Sequence, residues 1–141
     1  MTDFTTFMDR SVGSWISHRR YLFGPKRISG DYITTFDIES TADNAYTIAW
    51  VGKTEGEMDV VVDGDKLRRS RTYFGPDDDS TYQTMFWIDA DTVVFRTAYD
   101  GTCYREEIRF LDDNTRLRQT VGRDEETGDI ELVGQYAEFR K

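Results

Sequence analysis

Cysteine and histidine are nearly missing from this chain, with Cys103 its single thiol and His18 its single imidazole. One thiol cannot form an intramolecular disulfide, and the pair cannot supply a cysteine-cluster metal site or an ordinary zinc ligand set. That scarcity suits a reducing compartment. Basic residues are also the minority sign, 18 Lys and Arg against 27 Asp and Glu, for a formal charge of -9. A chain this acidic repels a nucleic-acid duplex, so no nucleic-acid partner is expected. No apolar run is long enough to span a bilayer, and the N-terminal Met-Thr-Asp-Phe-Thr-Thr-Phe-Met has no basic segment leading into an apolar one. The expectation is an unprocessed cytoplasmic protein with no membrane span.

What the chain does have is rings: eight Tyr, nine Phe and three Trp in 141 residues. That length accommodates one domain, 1–141, with a sizeable core, and the aromatic content can line a pocket.

At the start, Thr2 or Asp3 can cap a short helix ending near Gly13, in which Phe4, Phe7, Met8 and Val12 share a face. So short an apolar face needs a larger body, either as a plug closing it or as a helix packed on a sheet. From there the texture becomes strand-like, with Tyr, Phe, Val, Ile, Thr and Trp between turn clusters. Candidate strands are Trp15–Phe23, Asp31–Glu39, Ala45–Gly52, Glu57–Val62, Lys66–Phe74, Thr81–Ile88, Thr92–Tyr99, Cys103–Leu111, Thr115–Arg123 and Ile130–Phe139. Short connections between so many sequential strands favour an all-β, up-and-down antiparallel barrel over a two-sheet sandwich, which needs longer crossovers.

Two turns fix the parity of the hairpin that follows Tyr99. Asp100-Gly101 is a type I′ signal pairing Ala98 with Cys103, Thr97 with Tyr104 and Phe95 with Glu106. Asp112-Asp113-Asn114 suits a three-residue loop with Asn114 left-handed, pairing Phe110 with Arg116, Ile108 with Arg118 and Glu106 with Thr120. Alternation then groups Glu106, Arg116, Arg118 and Thr120 with Val93, Phe95, Tyr104, Ile108 and Phe110. Arg96, Arg105, Glu107, Arg109, Cys103 and Leu117 fall on the other face, the one suited to solvent.

Inward charges are costly unless they pair with each other or meet a wet or ligand-filled pocket. A rim salt-bridge network is the plainer alternative. If the pocket exists, Arg116 and Arg118, about 7 Å apart on one strand, suit two carboxylates, and Glu106 asks for an N–H group or a cation. By the same alternation Cys103 is an outward residue suited to packing. His18 lies opposite the face of Trp15 and Arg19, at the surface or an interface. The cluster Arg68, Arg69 and Arg71 has no turn to fix its facing.

These residues resemble the S-type phycobilin lyases, which are lipocalin-like, over nearly the whole chain. The resemblance rests on Phe-Met-Asp-Arg-Ser-Val-Gly-Ser-Trp-Ile-Ser-His-Arg near the start, Leu-Arg-Arg-Ser-Arg-Thr-Tyr-Phe from Leu67, Tyr-Asp-Gly-Thr-Cys-Tyr-Arg-Glu-Glu-Ile-Arg from Tyr99, Asn-Thr-Arg-Leu-Arg-Gln-Thr and the closing Gly-Gln-Tyr-Ala-Glu-Phe-Arg. It implies a barrel of about ten strands. It also implies a bilin site of Glu106, Arg116, Arg118, Thr120, Arg19 and Ser17, with Trp50 as an aromatic wall, and no metal. Thr120 stands where several members have Ser. The implied activity is attachment of an open-chain tetrapyrrole, phycoerythrobilin or phycocyanobilin, to a cysteine of an apo-phycobiliprotein, with the bilin as substrate and no permanent cofactor. A homodimer is implied too, in a cyanobacterial-type cytosol, an infected host's cytosol or a plastid stroma. A lipocalin-like carrier of an apolar acid, or an interaction module whose inward charges form only a network, stand as alternatives.

Overall fold

In a computed structural model, residues 3–24, 26, 28–71 and 82–141 are described. Helix α1 (Phe4–Ser11) is followed by β1 (Gly13–Phe23), β2 (Ile28–Ala42), β3 (Ala45–Val51), β4 (Glu55–Asp63), β5 (Lys66–Arg71), β6 (Tyr82–Asp89), β7 (Thr92–Tyr99), β8 (Thr102–Asp112), β9 (Thr115–Asp124) and β10 (Ile130–Arg140). Each strand pairs antiparallel with its sequence neighbours, and β1 closes on β10, so the ten form a closed barrel. Closure leaves no edge strand among the described residues. The expected extension of the fifth strand to Phe74 and the acidic run Asp77 to Asp79 lie outside the described residues.

The helix forms where its cap dictates. Asp3 accepts hydrogen bonds from the Thr5 and Thr6 amides, at 3.0 and 3.3 Å. Phe7 and Met8 are buried, with the Phe7 ring 5.5 to 6.1 Å from Phe110, Phe95 and Trp87. The helix is thus a plug rather than a surface attachment. It is held by Arg10 to Asp91 (2.8 Å), by the Tyr46 hydroxyl to Asp9 (2.5 Å) and by Arg140 to the carbonyls of Arg10 and Val12 (2.9 and 2.6 Å).

Strand β2 runs 15 residues, well beyond Asp31–Glu39, because its polar ends still pair with β1 and β3. The first of the two parity turns forms as expected, with positive φ at Asp100 (50°) and Gly101 (80°). The second reaches the expected register by another route. Asn114 is not left-handed; Asp112 pairs with Thr115, a bulge falls between Phe110 and Asp112, and the Asn114 amide donates to the Asp112 carboxylate at 2.8 Å. A two-residue turn plus one bulged residue has the same parity as a three-residue loop, so Phe110 still faces Arg116.

Register stacks the inner wall in rows that run across neighbouring strands. One row reads Gly30, Tyr21, Gly134, Thr120, Glu106, Phe95 from β2 through β1, β10, β9 and β8 to β7. The next, one step nearer the helix, reads Tyr32, Arg19, Tyr136, Arg118, Ile108, Val93. The third reads Thr34, Ser17, Glu138, Arg116, Phe110. Below these, Trp15 and Phe36 join Phe7, Met8 and the Phe110 of the third row in the apolar core.

Candidate functional site

The barrel encloses a cavity of about 630 Å³, floored by Phe7, Met8 and Ser11 of the helix. Aromatic and aliphatic side chains form most of its wall, and the charged rows occupy the arc from β1 to β8. A cavity of this size suits one small ligand.

At mid-height the Glu106 carboxylate accepts hydrogen bonds from Arg118 Nη2 at 3.0 Å and from the Thr120 hydroxyl at 2.9 Å, both on Oε2. The Tyr136 hydroxyl donates in turn to Thr120 at 3.2 Å. Burial raises the affinity of Glu106 for a proton, but Arg118, Arg69 and the two hydrogen bonds outweigh it and hold the carboxyl below its usual range. Arg118 is pushed up despite its burial, by Glu106 and Glu138. Burial also raises the Tyr136 phenol. Glu106 is therefore an ionised acceptor and Arg118 a fixed cation. The buried Arg118 Nε–H has no hydrogen-bond partner among the described residues, an unmet donor on the cavity wall.

Arg116 occupies a different station from the one its sequence position implies. Its side chain is 4% exposed, and it donates to Glu138 Oε1 at 2.8 Å and to Ser11 at 3.0 Å, with its guanidinium 4.9 Å from the Trp15 ring centre. It thus joins the helical plug to the barrel wall while lining the cavity with Arg118, its guanidinium already engaged by Glu138 and Ser11. Burial lowers the Arg116 pKa, and Glu138 opposes that.

Glu138 is the residue that sequence reasoning missed. It is fully buried, and its Oε2 lies 3.6 Å from Arg118 Nη1 and 3.9 Å from Arg19 Nη2, while Oε1 serves Arg116. Burial raises its carboxyl, but Arg116 and Arg118 prevail and hold it below the ordinary range. The signal that could have found it is arithmetic: two inward arginines and one inward glutamate call for another carboxylate, and Gly134, Tyr136 and Glu138 share a parity.

Arg19 and Trp50 line the cavity as expected. Arg19 lies 5.1 Å over the Tyr136 ring, and its Nε donates to the Ser17 hydroxyl at 3.0 Å. Ser17 itself is fully buried behind Arg19 and opposite Glu138, so it supports the site from beneath rather than lining it. Within the second basic cluster Arg69 lines the cavity and donates to Gln83 at 2.5 Å, whereas Arg68 is exposed near Asp63. The Arg71 side chain lies outside the described ones.

On the outer surface Cys103 is exposed, as its parity requires. His18 is exposed too, 5.9 Å from the Phe139 ring. It belongs to a shallow concavity of about 980 Å³ across β2, β1, β10, β9 and β8, where Ile33 and Leu117 are exposed. Among the described residues no cluster of His, Cys, Asp and Glu could hold a metal ion, and no helix is long and apolar enough to cross a membrane.

No family model matches the chain. A candidate phycocyanobilin lyase of Nostoc sp., CpcS 2, is 23% identical over 161 aligned positions, covering 95% of this chain and 88% of the relative. A candidate chromophore lyase of Picosynechococcus sp., CpcV, is 25% identical over 96% of this chain and 80% of its own. The S-type phycobiliprotein lyase CPES of Guillardia theta superposes with a TM-score of 0.81 at 20% identity, covering 99% of this chain and 93% of that one. The chain resembles the S-type phycobilin lyases. Similarity to that group extends from the helix through the last strand, so the cavity and its charged rows fall inside the shared region. A Nostoc punctiforme protein of unknown function has the same barrel more remotely, with a TM-score of 0.71 at 10% identity over 49% of its length.

Proposed function

We propose that this chain is an S-type phycobilin lyase: it binds an open-chain tetrapyrrole in the barrel and assists its stereospecific thioether attachment to a cysteine of an apo-phycobiliprotein. The observation that carries the reading is the Glu106–Arg118 pair facing an aromatic-lined cavity of about 630 Å³. A bilin has the complementary parts, pyrrole N–H donors for the ionised Glu106, carboxylates for guanidinium groups, and a flat apolar body for the rings. Arg118, with its unmet Nε–H, and Arg19 hold the carboxylates in this reading. Glu138 and Ser17 keep those cations in place from behind, and Arg116 holds Glu138. Thr120 orients Glu106, and Trp50 packs on the ligand.

In the attachment step the acceptor's thiol adds across the exocyclic double bond of a terminal ring. A carbon–sulfur bond forms and the thiol proton ends on the neighbouring carbon, with no oxidant consumed. The chain's share is positional. It holds a flexible chromophore in one conformation while the partner's cysteine approaches, which replaces an entropy cost otherwise met in the transition state. With Cys103 outside the barrel, no thiol of the described residues faces the cavity, which accords with direct transfer to the acceptor. The protein acts as a homodimer in this reading, through the outer face bearing Ile33 and Leu117, in a cytosolic compartment.

The test is a mixture of free bilin, this protein and an apo-phycobiliprotein, scored for a colour change on binding and then for a thioether-linked product by mass spectrometry. Binding with no acceleration of the thioether product would leave a carrier, and no binding of any bilin would leave only a structural network.

A further inference from the structure

Apart from Gly13, crowded by Arg140, and Gly52, crowded by Thr34, the described glycines divide by cause. Gly24, Gly64, Gly101 and Gly128 have positive φ, and a methyl group there would meet nothing within 4 Å; the backbone alone asks for them. Gly30, Gly56, Gly122 and Gly134 differ on both counts. They sit inside strands without positive φ, where glycine only forfeits order and packing. At each of them an aromatic ring occupies the space of the missing side chain. A Cβ built at Gly134 would stand 2.5 Å from the Tyr136 hydroxyl oxygen and 2.9 Å from its ring. One at Gly30 would stand 2.8 Å from the Tyr32 hydroxyl, one at Gly56 2.7 Å from Trp50, and one at Gly122 3.1 Å from Tyr104.

All four rings line the cavity. Gly30 and Gly134 flank Tyr21 on the two neighbouring strands, and the Tyr32 and Tyr136 rings lean into the two hollows, their centres 5.7 and 5.4 Å from that of Tyr21. The Gly134 hollow has a second effect. Thr120 is the ladder partner of Gly134, so a Tyr136 ring lying over Gly134 brings its hydroxyl to Thr120, and through Thr120 to Glu106. Fill the hollow and the ring must swing toward the cavity axis, narrowing the lumen and breaking that chain.

We propose that Gly30, Gly56, Gly122 and Gly134 are positioning residues that seat Tyr32, Trp50, Tyr104 and Tyr136 against the barrel wall, and so set the free width of the cavity for a thin, planar, conjugated ligand. The proposal rests on the bilin reading for its ligand and on the four contacts for its mechanism. It assigns selectivity by thickness to residues with no side chain.

The experiment is a double-mutant cycle in the full-length protein, using Gly134→Ala, Tyr136→Leu and both together, with free phycocyanobilin as probe and absorbance titration as readout. Gly134→Ala is expected to weaken binding about tenfold in the Tyr136 background and to change it by less than about twofold in the Tyr136→Leu background, because the clash is then gone. An equal loss in both backgrounds, or no loss in either, overturns the proposal. Should Gly134→Ala not fold, Gly122→Ala with Tyr104→Leu repeats the cycle at the mildest of the four contacts. Should the wild-type protein bind no bilin, the functional reading fails separately. The crystal structure of Gly134→Ala then decides: a Tyr136 ring displaced from Thr120 supports the seating mechanism, and an unmoved ring overturns it.

Discussion

Replacing Glu138 by Gln removes one negative charge from a point where three guanidinium groups converge, while changing the shape hardly at all. Its carboxylate is fully buried, 2.8 Å from Arg116 and 3.6 and 3.9 Å from Arg118 and Arg19, so little solvent screens the loss. Breaking a buried pair by deleting one partner costs about 3–5 kcal/mol, since the remaining charge stays buried without its counter-ion. The amide still has an oxygen that can accept from Arg116, which puts the expected loss near the lower end, about 3 kcal/mol. A chain of this length loses about 3 °C of melting temperature per kcal/mol, so the transition should fall by about 10 °C in calorimetry. The cause can be isolated by adding Arg116→Met, which removes the stranded cation and should restore part of the loss. A Glu138→Gln protein within about 1 kcal/mol of the wild type, or a double variant less stable than the single one, would refute the reasoning.

Glu106→Gln and Arg118→Ala should each weaken bilin binding about tenfold in an absorbance titration, through loss of a charge-assisted hydrogen bond to the ligand; unchanged affinity in either would remove that residue from the site. Glu106 and Glu138 both have depressed carboxyl pKa values, so their contribution to stability is complete above the unfolded-state value of about 4.3 and is lost as pH falls through the lower folded values. Melting temperature should therefore drop below about pH 4.3, and less steeply in Glu138→Gln; equal slopes would contradict the assignment. Cys103→Ser should leave chromophore transfer at the wild-type rate, because the thiol lies outside the barrel, and a transfer defect with binding intact would overturn direct transfer. Leu117→Glu, on the exposed outer face, should shift the proposed dimer toward monomer in sedimentation; a monomeric wild-type protein, or a dimer insensitive to this charge, would remove that interface.

The barrel was legible in the sequence because its strands alternate and its turns are short, each a local property. The inward set on β8 and β9 was legible for the same reason: Asp100-Gly101 announces its turn type, and the second turn admitted two geometries with one parity. What local pattern could not supply was side-chain reach. Arg116 and Arg118 have the same parity, yet one turns down onto Ser11 and Glu138 and the other across to Glu106, a choice made by the helix and by β10. Glu138 was hidden because no diagnostic turn fixes the register of the last strand, and Ser17 because an inward position says nothing of whether another side chain lies in front of it. Arg69 stayed undecided until the pairing of β4 with β5 set its facing.

The bolted helix makes the barrel a blind alley. With Phe7, Met8 and Ser11 closing one end among the described residues, a long ligand in the bilin reading enters from the other, and the part that goes in first is the part that comes out last. In the bilin reading, chemistry on a docked acceptor then falls on the trailing end, and the product leaves by the route the ligand came. Loading, transfer and release would then share one passage among the described residues, with their order imposed by traffic: a second ligand could not start in until the first had been drawn out.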